Sequence, residues 1–260
     1  MSAPQSIRLN AAAHTTRQLY GVLVGNDVYS NPKFTLKYAR HDAERLGATL
    51  EANTGNYYAK ANVKVLTDSA ATRDAIRAEI EKSVIAAGPT DTIVFSFAGH
   101  GLQDASNNYF LTPFGFEETN IGNTALAWRD IAALLHKAKS RVIVILDACH
   151  AGLSGSEGVG TNDDAVNALL AGDHPPMLVL AASKGRQSSL EGDHRDGGAF
   201  TTALIETLRS KRADYDFDRD EAIELSELYQ GLRTILARET RGEQTPWLVR
   251  QDLLGDFVVF

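Results

Sequence analysis

Arg141-Val142-Ile143-Val144-Ile145-Leu146-Asp147-Ala148-Cys149-His150-Ala151-Gly152 decides how this chain is read. After Arg141 comes an unbroken apolar run, mostly β-branched. That is the pattern of a strand covered on both faces, as in a parallel sheet flanked by helices. The run stops at Asp147, and the only cysteine of the chain follows it. A second run, Asp91 to Ala98, ends in the same manner, in Gly99-His100-Gly101. Sites in open α/β sheets form outside the carboxyl ends of the strands. A thiol and an imidazole delivered to that edge are a candidate nucleophile and a candidate base.

Outward from these two strands, the chain alternates strand and helix. Leu19 to Gly25 is a short apolar run followed by turn residues Asn26-Asp27 and Ser30-Asn31-Pro32. Residues 39–53 carry helical spacing, with Ala43, Leu46 and Leu50 on one face. Val63 to Leu66 predicts a strand. Thr72 is placed to cap a helix reaching about Ala87, with Ala75, Ile76, Ile80 and Val84 inward. Tyr109 to Thr112 suits one arm of a small hairpin, and Trp128 to His136 a helix. Met177 to Ala182 predicts a further strand. Helices are expected near 200–208 and 225–237, and the apolar run Phe257 to Phe260 ends the chain. The expected fold is α/β: a mainly parallel sheet sandwiched between helices in three layers. Residues 1–17 are read as an N-terminal extension and 18–260 as one domain. Within it, 153–176 is a loop rich in Gly, Ser, Asn and Asp that joins a larger part, about 18–152, to a smaller one, 177–260.

The 260 residues carry a formal net charge of −7, with 43% apolar and 23% charged residues. Such a chain buries a sizeable core, and its charge argues against non-specific nucleic-acid binding. One cysteine excludes an intramolecular disulfide and a cysteine-based zinc site. Met1 to His14 lacks the apolar core of a secretory signal, and no run approaches the length of a membrane span. A cytoplasmic, reducing location is expected, which suits a free thiol; no membrane partner and a monomeric state are expected as well.

A cysteine attacks as its thiolate, and a free thiol titrates near pH 8.5, so it needs a nearby proton acceptor. His100 supplies one if the two strands are neighbours. The backbone N–H groups of Gly101 and Cys149, at strand ends, are candidate donors to an oxyanion. Each residue alone has an ordinary reading, Cys149 as a small buried hydrophobe and His100 as a satisfied polar group. Their joint placement beside glycines at two strand ends favours the dyad.

These motifs resemble the caspase signature, in which an Ala-Cys core follows a histidine about 50 residues upstream. The form Asp147-x-Cys149-His150-x-Gly152 is more similar to the metacaspases and their bacterial relatives. The resemblance extends over Gly21 to Asn26, Leu36 to Asp42, Ser96 to Gly101, Ala181-Ala182-Ser183 and Leu254 to Phe257. It implies a caspase-like fold and cysteine endopeptidase chemistry with His100 as base and Cys149 as nucleophile. It further implies cleavage of protein or peptide substrates after Arg or Lys. Asp147 would bind the basic side chain, with Asp42 as a second carboxylate and Ser183 also in the substrate site. Asp42 stands in Tyr38-Ala39-Arg40-His41-Asp42, which departs from the family's usual Gly-Cys-x-Asn-Asp. On charge grounds an aspartate two residues before the nucleophile suits a cationic substrate, since it otherwise raises the thiol pKa. His150 is read as structural.

No Lys or Arg lies between Arg141 and Lys184. An enzyme specific for basic residues therefore has no cleavable bond in loop 153–176, where caspase-type enzymes are commonly cut. Activity as an intact chain is expected. Residues 216–227 are similar to an EF-hand loop: Asp216, Asp218, Asp220 and Glu227 take positions one, three, five and twelve, with Ile223 at the apolar eighth. Glu221 replaces the usual glycine at the sixth. Calcium is the cofactor this pattern suggests; none is required for the chemistry. The alternatives are an acidic linker before a helix, and, for the whole chain, a non-catalytic caspase-like interaction module or a same-clan peptidase of different preference.

Overall fold

The computed structural model describes residues 16–54, 57–104, 106, 108–148, 166, 175–182, 197–209, 212–253 and 255–260. Its strands are β1 (Gln18–Gly25), β2 (Lys60–Thr67), β3 (Thr92–Ala98), β4 (Gly101–Gln103), β5 (Tyr109–Leu111), β6 (Leu126–Ala127), β7 (Arg141–Asp147), β8 (Met177–Ala181) and β9 (Trp247–Gln251). The longer helices are α1 (Ala39–Ala52), α2 (Arg73–Ala86), α3 (Trp128–Leu135), α4 (Ala199–Leu208) and α5 (Leu225–Glu239).

The main sheet runs β2-β1-β3-β7-β8-β9. All neighbours pair in parallel except β8 and β9. The apolar runs follow from this arrangement. Along a strand, side chains alternate between faces. Val142, Val144 and Leu146 join Val22, Phe95 and the inward residues of α2 and α3 in one core. Ile143 and Ile145 join Leu23, Val94 and the inward residues of α1, α4 and α5 in the other. Both faces are thus covered by helices, giving three layers. The Thr72 hydroxyl caps α2 by accepting the Ala75 N–H at 3.3 Å, and Ile76 and Ile80 are buried beneath that helix. Among the described residues no helix is long and apolar enough to cross a membrane.

Two features depart from the sequence reading. Trp247–Gln251 shows no clear period, yet it forms the antiparallel edge strand on β8. The run Phe257 to Phe260 forms no long ladder. Glu224 and Val258 make an isolated bridge, while Val259 and Phe260 are buried in the α5 core. The Val259 carbonyl accepts from the Tyr58 hydroxyl at 2.8 Å, and the Val258 carbonyl from the Arg141 guanidinium at 2.9 Å.

Register decides where the site lies. Gly25 pairs with Ala98, Ala98 with Asp147, and Leu146 with Ala181. Four parallel strands therefore end at one edge of the sheet. Beside that edge, β4, β5 and β6 make a small antiparallel sheet.

Candidate active site

His100 stands two residues after β3 and is only 4% exposed. The segment after β1 encloses it. Asn31 accepts the Lys33 N–H and starts a 3-10 turn, Pro32–Phe34. This turn presents the Phe34 carbonyl to His100 Nε2 at 2.5 Å. A carbonyl only accepts, so Nε2 carries the proton and Nδ1 keeps the lone pair in the neutral ring. The Tyr29 ring lies 4.9 Å from the imidazole and the Phe34 ring meets it edge-on at 5.4 Å. The Tyr29 hydroxyl accepts the His100 backbone N–H at 3.2 Å, and the Thr112 hydroxyl donates to the His100 carbonyl at 3.0 Å. Burial in this aromatic setting lowers the imidazole pKa to about 4, against the opposing effect of the Phe34 carbonyl. The ring is therefore neutral at pH 7 and able to accept a proton.

Gly101 opens β4. The Thr112 N–H donates to the His100 carbonyl and the Asp104 N–H to the Asn108 carbonyl. The hydrogen-bonded pairs of this ladder thus alternate around Gly101, whose own N–H points away from β5. A Cβ at Gly101 would collide with the Tyr109 hydroxyl and come within 3.2 Å of the Ala148 carbonyl. Gly101 and Ala148, the residues flanking His100 and Cys149 respectively in sequence, therefore lie against each other. The Gly99 N–H also donates to the Asp147 carbonyl at 3.3 Å. Cys149, His150 and Ser183 lie outside the described residues, and loop 153–176 is described only at Val166, Pro175 and Pro176.

Two carboxylates converge at the N-terminus of α4. Asp42, 4% exposed, accepts the Gly198 N–H at 2.8 Å. A Cβ on Gly198 would lie 2.8 Å from Asp42 Oδ2 and 3.4 Å from Asp147 Oδ2, so both acids share this small space. Arg45, one turn along α1, places Nη1 3.6 Å from Asp42 Oδ1. Gly197, at φ +148°, packs on this pair; a Cβ there would collide with both side chains. Burial, then the Asp147 charge, push the Asp42 carboxyl up to about 8; the Gly198 N–H and Arg45 pull the other way. The two carboxylates share the space at the start of α4, a helix N-terminus that favours negative charge.

The acidic turn is well formed. Carboxylate oxygens of Asp216, Asp218 and Glu227 lie within 4.8 Å of one another, and those of Asp218, Asp220 and Glu224 form a second such group. Asp220 therefore belongs with Glu224, which the sequence pattern does not single out. Glu221 takes φ +66°, the left-handed turn that glycine usually supplies at that place. Ile223 exchanges backbone bonds with Val259 and Phe260. An all-oxygen donor set of this kind suits Ca2+.

Of the expected site residues, His100, Gly101, Asp147 and Asp42 come together at one edge. Tyr29, Phe34, Thr112, Arg45 and Gly198 complete the surroundings. Only the turn signal at Ser30-Asn31-Pro32 hints at the first two. Arg45 has no signature beyond its place one turn after Asp42.

The family model of the caspase domain matches residues 20–258. Among solved structures, that of protein GSU0716 from Geobacter sulfurreducens matches with a TM-score of 0.63 at 21% identity, covering 90% of this chain and 93% of that one. This likeness concerns the fold. No curated protein matches the chain.

Proposed function

The chain belongs to the caspase-domain family of peptidases, and from that premise we propose that it is a cysteine endopeptidase that cleaves after Arg or Lys. The observation that carries the reading is the convergence at one sheet edge: a buried, neutral His100, Ala148 packed against Gly101, and the paired carboxylates Asp42 and Asp147.

In the proposed reaction, the basic side chain of the substrate enters between Asp147 and Asp42. Charge-assisted hydrogen bonds to a guanidinium are stronger than neutral ones and directional. The Cys149 thiol gives its proton to His100 Nδ1, and the sulfur attacks the carbonyl carbon. The oxyanion faces the N–H groups of Gly101 and Cys149. The C–N bond then breaks as the imidazolium returns the proton to the departing amine, leaving a thioester. His100 next takes a proton from water, whose oxygen attacks the thioester; the thiol re-forms and the new carboxylic acid departs. Ser183 is assigned to the substrate site by resemblance alone. Loop 153–176 holds no bond that such an enzyme cleaves, so the intact chain is the active form. Asp216, Asp218 and Glu227, with Asp220 and Glu224 beside them, would hold Ca2+, which would support the fold of the turn; no step of the reaction passes through it.

The test is labelling with an arginyl chloromethylketone followed by peptide mass spectrometry. Modification confined to Cys149, and abolished in His100→Ala, is the expected result. No labelling of Cys149 at any pH between 6 and 9 would refute the proposal.

A further inference from the structure

Arg45 takes no part in the proposed reaction, yet it is bound to Asp42 of the proposed specificity pocket. Its guanidinium reaches Asp42 Oδ1 at 3.6 Å and donates to the Thr202 hydroxyl, on α4, at 3.2 Å. It therefore bridges α1 and α4 beside Gly198, where Asp42 and Asp147 meet. A second carboxylate close to a buried first one disfavours ionisation of both. A cationic side chain that binds between the two acids must displace the proton held there, and a guanidinium already beside Asp42 loosens that proton.

We propose that Arg45 is a positioning residue that eases ionisation of Asp42, and so sets the lowest pH at which a basic side chain is accepted. The inference rests on the proposed Arg/Lys specificity. The groups that face Asp42 among the described residues come from four elements. Arg45 comes from its own helix, and Asp147 from β7. Asp27 comes from the turn after β1, and the Gly198 N–H from the start of α4. Burial, then Asp147 and Asp27, oppose the carboxylate; among these groups the N–H and Arg45 favour it. Among the described residues, removing Arg45 leaves the Gly198 N–H against burial and the charges of Asp147 and Asp27.

Two readouts test this. Carboxyl-13C labelling of aspartates, with Asp42 assigned from its missing signal in Asp42→Asn, follows the Asp42 titration directly. Arg45→Met should raise its midpoint by about one unit, a factor of about ten in proton affinity, and Arg45→Lys should restore it in large part. In parallel, kcat/KM for an arginyl peptide should fall about tenfold in Arg45→Met at pH 7, with the deficit closing by pH 9.5. An unchanged Asp42 midpoint would overturn the inference. So would an equal loss at every pH, which marks a merely structural role. If the wild type cleaves no basic peptide, the proposed specificity fails, while the 13C titration still decides the role of Arg45.

Discussion

His100 Nε2 and the Phe34 carbonyl oxygen lie 2.5 Å apart, and this contact determines which nitrogen can do chemistry. Nε2–H is held by a backbone group, so in the proposed dyad the proton from Cys149 would arrive at Nδ1. The ring pKa, lowered to about 4 by burial, keeps the base neutral well below pH 6. Alkylation of Cys149 by iodoacetamide, a neutral reagent with no need of the pocket, should therefore lose its His100-dependent part only as pH falls toward 4. His100→Ala should lower turnover on the order of 10² to 10⁴-fold, the usual contribution of general acid–base catalysis. An acid limb near 6.5 in the wild-type alkylation profile would contradict the buried-imidazole account.

Asp147 and Asp42 are assigned to hold the basic side chain. A hydrogen bond to a charged group contributes about 1.5–3 kcal/mol. Asp147→Asn, which keeps shape and loses charge, should therefore reduce kcat/KM for arginyl peptides by roughly 10- to 150-fold. Iodoacetamide reactivity at Cys149 should be retained. Undiminished cleavage of arginyl peptides in this variant would remove Asp147 from the pocket.

The same pocket makes stability depend on pH. Asp42 rises from 3.8 unfolded to about 8 folded. The folded state holds its proton more tightly, so this stabilisation is complete below about pH 4 and is lost as pH rises through 8. Asp42→Asn has no proton to lose. Its melting temperature should gain on the wild type progressively between pH 5 and 8.5, while its activity on basic peptides falls. A melting difference that stays constant across that range would contradict the assigned burial.

Calcium should bind the turn that begins at Asp216. Glu224 is pushed up to about 8, by burial and then by Glu227. Ca2+ binding must displace a shared proton there, so affinity should increase as pH rises from 7 to 9. Isothermal titration with Ca2+ should show one site in the wild type and at least a tenfold weaker one in Asp218→Ala, a loss of about 1.4 kcal/mol or more. Equal affinity in both proteins would remove this turn from consideration.

The legible parts of this fold are those whose burial is complete. β3 and β7 lie between two helical layers, so nearly every position is apolar and the run stands out. β9 pairs on one side only and is half buried, so Trp247 to Gln251 carries polar residues that blur its period. The site divides similarly. His100 and Asp147 end conspicuous strands, so order along the chain places them. Asp42 sits on a helix where a carboxylate has no periodic mark, and only resemblance to a family singles it out. Phe34 acts through its backbone carbonyl, which any residue type could supply. Arg45 reads as an ordinary surface residue of an amphipathic helix; its role depends on α4 packing beside it, a contact 157 positions away in the chain.

Cleavage after Arg or Lys by the intact chain is tested by recording peptide turnover and the protein's mass together. Purified wild type and Cys149→Ala are incubated with fluorogenic peptides differing only in the residue before the cleaved bond, and the protein's intact mass is recorded alongside. Turnover of arginyl and lysyl peptides alone, abolished by Cys149→Ala, with no cut between residues 153 and 176, is the predicted result. Failure to cleave any basic peptide, or activity appearing only after a cut in that loop, would contradict the account.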